Sequence, residues 1–247
     1  MTPIRLMRSF ATVGVWTLAS RILGFVRDIL IAGYLGAGAM ADAFNAAFAL
    51  PNMFRRFFAE GAFNLAFVPM FTKKNTVNKD EAEAFARDAY WLMASFLIGF
   101  SILAMTAMPL LVWVTVPGYA GTEKFDMTVL FGRIAFPYIL FISLTALLSG
   151  MLNATGRFAT AAAAPVLLNV VFIAGLFLAV HFGWPIALTL AWAVPVGGVA
   201  QLVVCWVAVR RAGFAMRFRR PRLTPELRRL LIIAAPAVLT EGVMQIN

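Results

Sequence analysis

Six apolar runs, near residues 10–34, 41–71, 89–116, 128–152, 158–181 and 185–209, follow one another with only short polar turns between them, and a seventh begins near 229. Crossing a bilayer takes about 20 apolar residues, so each run is long enough. In hydrocarbon every backbone N–H and C=O must find a partner inside the segment, which leaves helices as the solution for runs of this length. The expected fold is an all-α polytopic membrane protein of six transmembrane helices plus the start of a seventh. With 62% hydrophobic and 13% charged residues, the chain is not an ordinary soluble domain.

The polar turns carry the topology. Gly33, Gly36 and Gly38 mark the first turn, Lys73 to Glu81 the second, Pro117 to Gly121 the third, Asn153 to Gly156 the fourth and His181 to Pro185 the fifth. One side collects Arg5, Arg8, Lys73, Lys74, Lys79, Arg87, Arg157 and the arginines from Arg210 to Arg229; the other has essentially Lys124 and Arg133. The positive-inside rule makes the basic side, and with it the N-terminus, cytoplasmic. The same distribution accounts for the net charge of +10 without nucleic acid, because the bases sit in short loops and not in a soluble domain. Residues 1–209 read as one helical lobe and 210–228 as a basic amphipathic linker against anionic membrane lipids. Residues 229–247 read as the start of the next span. Thr224-Pro225-Glu226 has the pattern of a helix start, with Thr as cap and Pro in the first turn. The chain is expected to be one part of a larger transporter.

Within this apolar frame, Arg21, Arg27, Asp28, Asp42, Arg55, Arg56 and Glu60 are out of place. From Phe10 to Tyr34 about eleven Leu, Ile, Val and Phe residues contribute roughly −3 to −7 kcal/mol to insertion, while Arg21, Arg27 and Asp28 cost about +7 to +10 if central. The first span therefore needs neighbours that hide a polar stripe. At about 100° per residue, Thr17, Ser20, Arg21, Gly24, Arg27, Asp28 and Ile31 share an arc of about 120°. In the second span Asp42, Asn45, Asn52, Arg55, Arg56 and Glu60 share about 140°, subject to a kink at Pro51. Ionised residues at bilayer depth face a partner or a wet cavity. The positive excess points to a cavity that holds an anion, and Gly24 leaves room there for a ligand or a close helix.

Other residues read more plainly. Cys205 is a single cysteine in an apolar run, which excludes an internal disulfide and a cysteine metal site. His181 is a turn residue and Arg133 a snorkelling side chain. Asp42 can cap the second helix, and Glu60 serves as an ion-pair partner. Asp80, Glu81 and Glu83 share a loop with three lysines and read as solvated surface. No nucleophile or metal constellation accompanies the arginines, so a polyprenyl-phosphate membrane enzyme is the weaker alternative, and no cofactor is expected.

The run Ser20-Arg21-Ile22-Leu23-Gly24-Phe25-Val26-Arg27-Asp28, then Ala41-Asp42-Ala43-Phe44, then Leu50-Pro51-Asn52-Met53-Phe54-Arg55-Arg56-Phe57-Phe58-Ala59-Glu60-Gly61-Ala62-Phe63 and Ala66-Phe67-Val68-Pro69 resemble the MurJ/MviN lipid II flippase family of the MOP exporter superfamily. Weaker matches continue through Phe136-Pro137-Tyr138-Ile139-Leu140 and Ala191-Trp192-Ala193-Val194. The resemblance implies two helical lobes around a central cavity, alternating access, the bacterial inner membrane, a role in peptidoglycan synthesis, and lipid II as cargo. It places the substrate-binding residues at Arg21, Arg27, Arg55 and the acid Asp42. Ser20, Gly24, Asp28, Asn52, Arg56 and Glu60 take supporting positions, and the C-terminal lobe of the same protein becomes a partner. Another MOP-type exporter, for drugs or other lipid-linked sugars, is the alternative. Arginine suits a diphosphate, because a guanidinium offers two parallel charge-assisted hydrogen bonds and keeps its proton.

Overall fold

The computed structural model describes the backbone of residues 3–55 and 62–233 and the side chains of residues 11–55 and 65–233. All regular structure in these residues is helical. The elements are α1 (Pro3–Leu35), α2 (Ala39–Arg55), α3 (Ala62–Val77), α4 (Lys79–Thr106), α5 (Met108–Thr115), α6 (Glu123–Ala135), α7 (Tyr138–Ala154), α8 (Phe158–Phe182) and α9 (Ile186–Arg211). A further helix, α10, starts at residue 225.

The predicted runs lie where expected, but they are not six unbroken helices. The third is split into α4 and α5. Pro109 has no N–H to give the carbonyl of Met105, four residues back. The side chain of Arg133 supplies the missing donor, its Nε lying 3.1 Å from that oxygen. The fourth run is split into α6 and α7 at Phe136-Pro137 by the same lack of a proline donor. The second run is shared by α2 and α3, and Arg56 and Glu60 lie outside the described residues, as does everything beyond 233. Pro51, Pro165 and Pro195 are accommodated inside α2, α8 and α9.

Helix ends follow local chemistry. Gly36 and Gly183, at φ 70° and 68°, close α1 and α8 in the left-handed conformation that glycine adopts without strain. The Asn78 side chain accepts the Asp80 N–H at 2.9 Å and caps α4. The Thr224 hydroxyl accepts the Leu227 N–H at 3.3 Å, so the predicted start of the next helix is in place.

Among the described residues four helical stretches are long and apolar enough to cross a membrane: Lys79–Thr106, Glu123–Ala154, Phe158–Phe182 and Ile186–Arg211. α1 and α2, which carry the arginines, are not among them. Two apolar clusters hold the bundle together. One joins Phe67 and Phe71 of α3, Phe85 and Leu97 of α4, and Leu147 and Leu148 of α7. The other joins Phe44 of α2, Phe131 of α6, Tyr138 of α7, Phe172 and Leu176 of α8, and Leu190 and Val194 of α9. α1 lies along α8, whereas α2 packs on α6 and α7. The two arginine-bearing helices thus flank a gap floored by α7 and α8.

The linker runs along the bundle as a strap. After α9 ends at Arg211, residues 214–224 run without helix and dock on α3 and α4. Phe214 and Met216 are buried in the first cluster. Glu83 accepts the Ala215 N–H at 2.9 Å, Trp91 Nε1 donates to the Arg217 carbonyl at 3.0 Å, and Arg219 pairs with Asp88 at 3.2 Å. Lys74 then clamps Glu226, in the first turn of α10, at 2.6 Å. Arg210, Arg211, Arg217, Arg220, Arg222, Arg228 and Arg229 remain exposed around this strap.

Candidate functional site

The polar stripe of α1 opens onto a row of three cavities. The central one, of about 860 Å³, is lined by Ser20, Arg21, Gly24 and Arg27 from α1, Asn52 and Arg55 from α2, Tyr138 from α7, and Pro165 and Asn169 from α8. Toward the basic end it continues into a space of about 570 Å³ bounded by Thr17, Arg21, Ser149, Asn153 and Phe158. Toward the opposite end a smaller pocket of about 260 Å³ is bounded by Arg27, Asp28, Asn45, Phe48 and Phe172. The central cavity therefore gathers all three arginines singled out in the sequence, and its described lining contains no carboxylate.

The three guanidiniums are held differently. Arg21 is exposed toward the cavity and Arg55 is half-buried at the last turn of α2. Arg27 is fixed on three sides. Its Nε and Nη2 donate to Asp28 Oδ1 at 2.9 and 2.8 Å, its Nη1 donates to Asn169 Oδ1 at 2.9 Å, and its Cζ lies 5.4 Å from the centre of the Phe172 ring. The ring face adds a cation–π attraction to the charge-assisted hydrogen bonds. Asp28 thus holds two of the three Arg27 nitrogens, while its own side chain stays 66% exposed.

Asn169 is the residue that sequence reasoning missed. It is 5% exposed, and while Oδ1 accepts from Arg27, Nδ2 donates to the Ser20 carbonyl at 3.0 Å. One amide thereby ties α8 to both the charge and the backbone of α1. Gly24 faces it: a Cβ at that position would lie 3.8 Å from both ends of the Asn169 amide, an ordinary contact. Gly24 thus lies beside α8 and also lines the central cavity. The available signal was a lone amide in the most apolar of the four spans, with mean hydropathy 2.4.

Asp42 stands apart. It sits in the first turn of α2, 13 positions before Arg55 and so about 20 Å along the axis. It is not among the residues lining the central cavity. Its Oδ2 takes the Lys124 ammonium of α6 at 2.5 Å, and that ammonium lies 5.5 Å from the centre of the Tyr119 ring. Ser20 and Asn52 do line the cavity with the arginines, whereas Arg56 and Glu60 are outside the described residues.

A lobe of broken helices around a polar cavity is a fold shared with solved membrane transporters. The fold matches a MOP superfamily transporter from Pyrococcus furiosus with a TM-score of 0.77 over 96% of this chain and 53% of that one, at 16% identity. It also matches a structure described as lipid II flippase MurJ in an inward closed conformation, with a TM-score of 0.73 at 26% identity, covering 95% of this chain and 48% of that one. The family model for lipid II flippase MurJ matches residues 31–247. A Rhizobium tropici protein named "Probable lipid II flippase MurJ" is 50% identical across 98% of this chain and 46% of its own length. The Burkholderia cenocepacia lipid II flippase MurJ is 38% identical across 99% of this chain and 48% of its own length. The chain belongs to the MurJ lipid II flippase family and is a multi-pass membrane protein. It spans about half the length of the curated relatives it matches.

Proposed function

We propose that the full-length protein carries lipid II from the cytoplasmic to the periplasmic leaflet of the bacterial inner membrane, and that Arg21, Arg27 and Arg55 receive its diphosphate. The observation that carries this reading is the cavity shared by the three arginines. A diphosphate crossing a low-dielectric slab needs its charge matched along the way, and permanently cationic guanidiniums that share one cavity supply that match. Asn52 and Ser20 offer neutral hydrogen bonds beside the arginines, while Asp28 restrains Arg27 when the site is empty. No bond is made or broken, so the protein acts as a transporter and not as an enzyme.

In this reading α1, α2–α3, α4–α5, α6–α7, α8 and α9 are six crossings with the N-terminus in the cytoplasm. They form one lobe, which rocks against a second lobe of the same protein to expose the cavity to each side in turn. The exposed arginines around the strap meet anionic headgroups of the cytoplasmic leaflet. Asp42 acts at the far end of α2 through Lys124.

The test is lipid II translocation by the full-length protein bearing Arg21→Ala, Arg27→Ala or Arg55→Ala. Loss of transport in each is expected; normal transport in all three overturns the reading. Arg→Lys at the same positions separates charge from geometry, because an ammonium keeps the charge but not the two-pronged fork.

A further inference from the structure

Three arginines face the central cavity, but Arg133 lies on the outside of the bundle. It comes ten positions after Glu123, the first residue of a 32-residue α6–α7 stretch, and so about 15 Å along the axis. That stretch is about 48 Å long if straight, against about 30 Å of hydrocarbon. Centred in the bilayer, Arg133 falls about 6 Å inside the hydrocarbon edge on the side of Lys124. Its Nε is used by the Met105 carbonyl that Pro109 leaves without a donor. Among the described residues no carboxylate pairs with it. A permanent charge at this depth, with its two terminal nitrogens outside that bond, favours an anion beside it.

Next to it lies a groove of about 520 Å³, walled by Pro137, Phe141, Trp192, Pro195 and Val199, with Arg133 as its single charged residue. Trp192 is 56% exposed along this wall. Two prolines line the groove, Pro137 at the break before α7 and Pro195 inside α9. Its shape suits an acyl chain, and its cation suits a phosphate one headgroup depth above.

We propose that this groove is a binding site for an acidic glycerophospholipid of the leaflet on the Lys124 side. One acyl chain lies against Phe141, Trp192 and Val199, and the phosphate meets the Nη1–Nη2 edge of Arg133. A zwitterionic lipid is the poorer occupant, because its amine returns a positive charge to a site that has no acid of its own. The site is separate from the arginine cavity and from the basic strap at the other end of the bundle.

The experiment uses the full-length protein in nanodiscs of phosphatidylcholine containing a minor share of either phosphatidylglycerol or phosphatidylcholine with brominated acyl chains. Bromine quenches nearby tryptophan, and Trp192→Phe identifies the part of the quenching due to Trp192. The acidic lipid is expected to quench that part about fivefold more effectively, corresponding to the ~1 kcal/mol of a basic residue near an anionic headgroup. Arg133→Gln, whose amide still reaches the Met105 carbonyl, is expected to abolish the preference, and Arg133→Lys to retain most of it. Equal quenching by both lipids, a preference that survives Arg133→Gln, or a Trp192 that neither lipid quenches overturns the proposal.

Discussion

α1 and α4 are both long helices, of 33 and 28 residues, yet the bundle uses them in opposite ways. α4 buries eleven of its residues, from Ala82 to Ala104, against α3, α7 and the strap. α1 buries none between residues 11 and 35 and is joined to the rest mainly by its contact with α8 and by the Asn169 amide. Apolar burial scales with area, so α4 is scaffold by weight of contact. α1 is held by its packing along α8 and by the Asn169 amide, one of whose two bonds ends on a cation that faces the cavity. Stability and function are thereby placed on different helices.

The largest expected effect tests the scaffold side. Leu97→Ala removes a fully buried side chain from α4 and should cost about 2–5 kcal/mol, whereas Leu18→Ala on α1, 60% exposed, should stay within about 0.5 kcal/mol. Thermal unfolding of the two variants in one detergent checks the order, and equal losses break the contrast. Next comes the polar clasp. Asn169→Ala should lower transport about tenfold in the native background and add nothing in Arg27→Ala, because Asn169 acts through Arg27; independent losses would show that it acts elsewhere.

A third comparison uses two glycines. A Cβ at Gly198 of α9 would meet Tyr138 at 2.8 Å and Phe141 at 3.0 Å, so Gly198→Ala should cost about 1–3 kcal/mol through overpacking. Gly24→Ala meets Asn169 at an ordinary 3.8 Å and should leave the melting temperature nearly unchanged. The smallest effect is expected at the Asp42–Lys124 pair, since ion pairs between exposed groups contribute little. Asp42→Asn should leave thermal stability intact. A transport defect there that Lys124→Gln does not reproduce would give Asp42 a role beyond its ion pair.

The sequence carried the places of the four long apolar helical stretches, because length and apolarity decide which segments are able to cross a bilayer. It also carried the meeting of Arg21, Arg27 and Arg55, since ionised residues at that depth must share a polar space. The breaks in the third and fourth spans were less visible. A proline removes one donor, but whether the helix bends or parts depends on who satisfies the orphaned carbonyl, and at Met105 that is Arg133, 28 residues away. Asn169 was legible only as an anomaly, because its partners lie 142 and 149 positions off. In the linker, seven arginines dominate the sequence from 210 to 228, so the burial of Phe214 and Met216 among them was not legible.

That anchoring sets the length of the leash leading into α10. About thirteen residues lie between α9 and α10 and could reach roughly 45 Å if fully stretched. Fastened at Glu83, Trp91 and Asp88, only the few from Arg220 to Thr224 are left to give, and Lys74 grips the far end. Whatever follows α10 must therefore travel with the α3–α4 hairpin or swing about that short stretch. A glycine-rich insertion after Arg220 is the change that would let the two come apart.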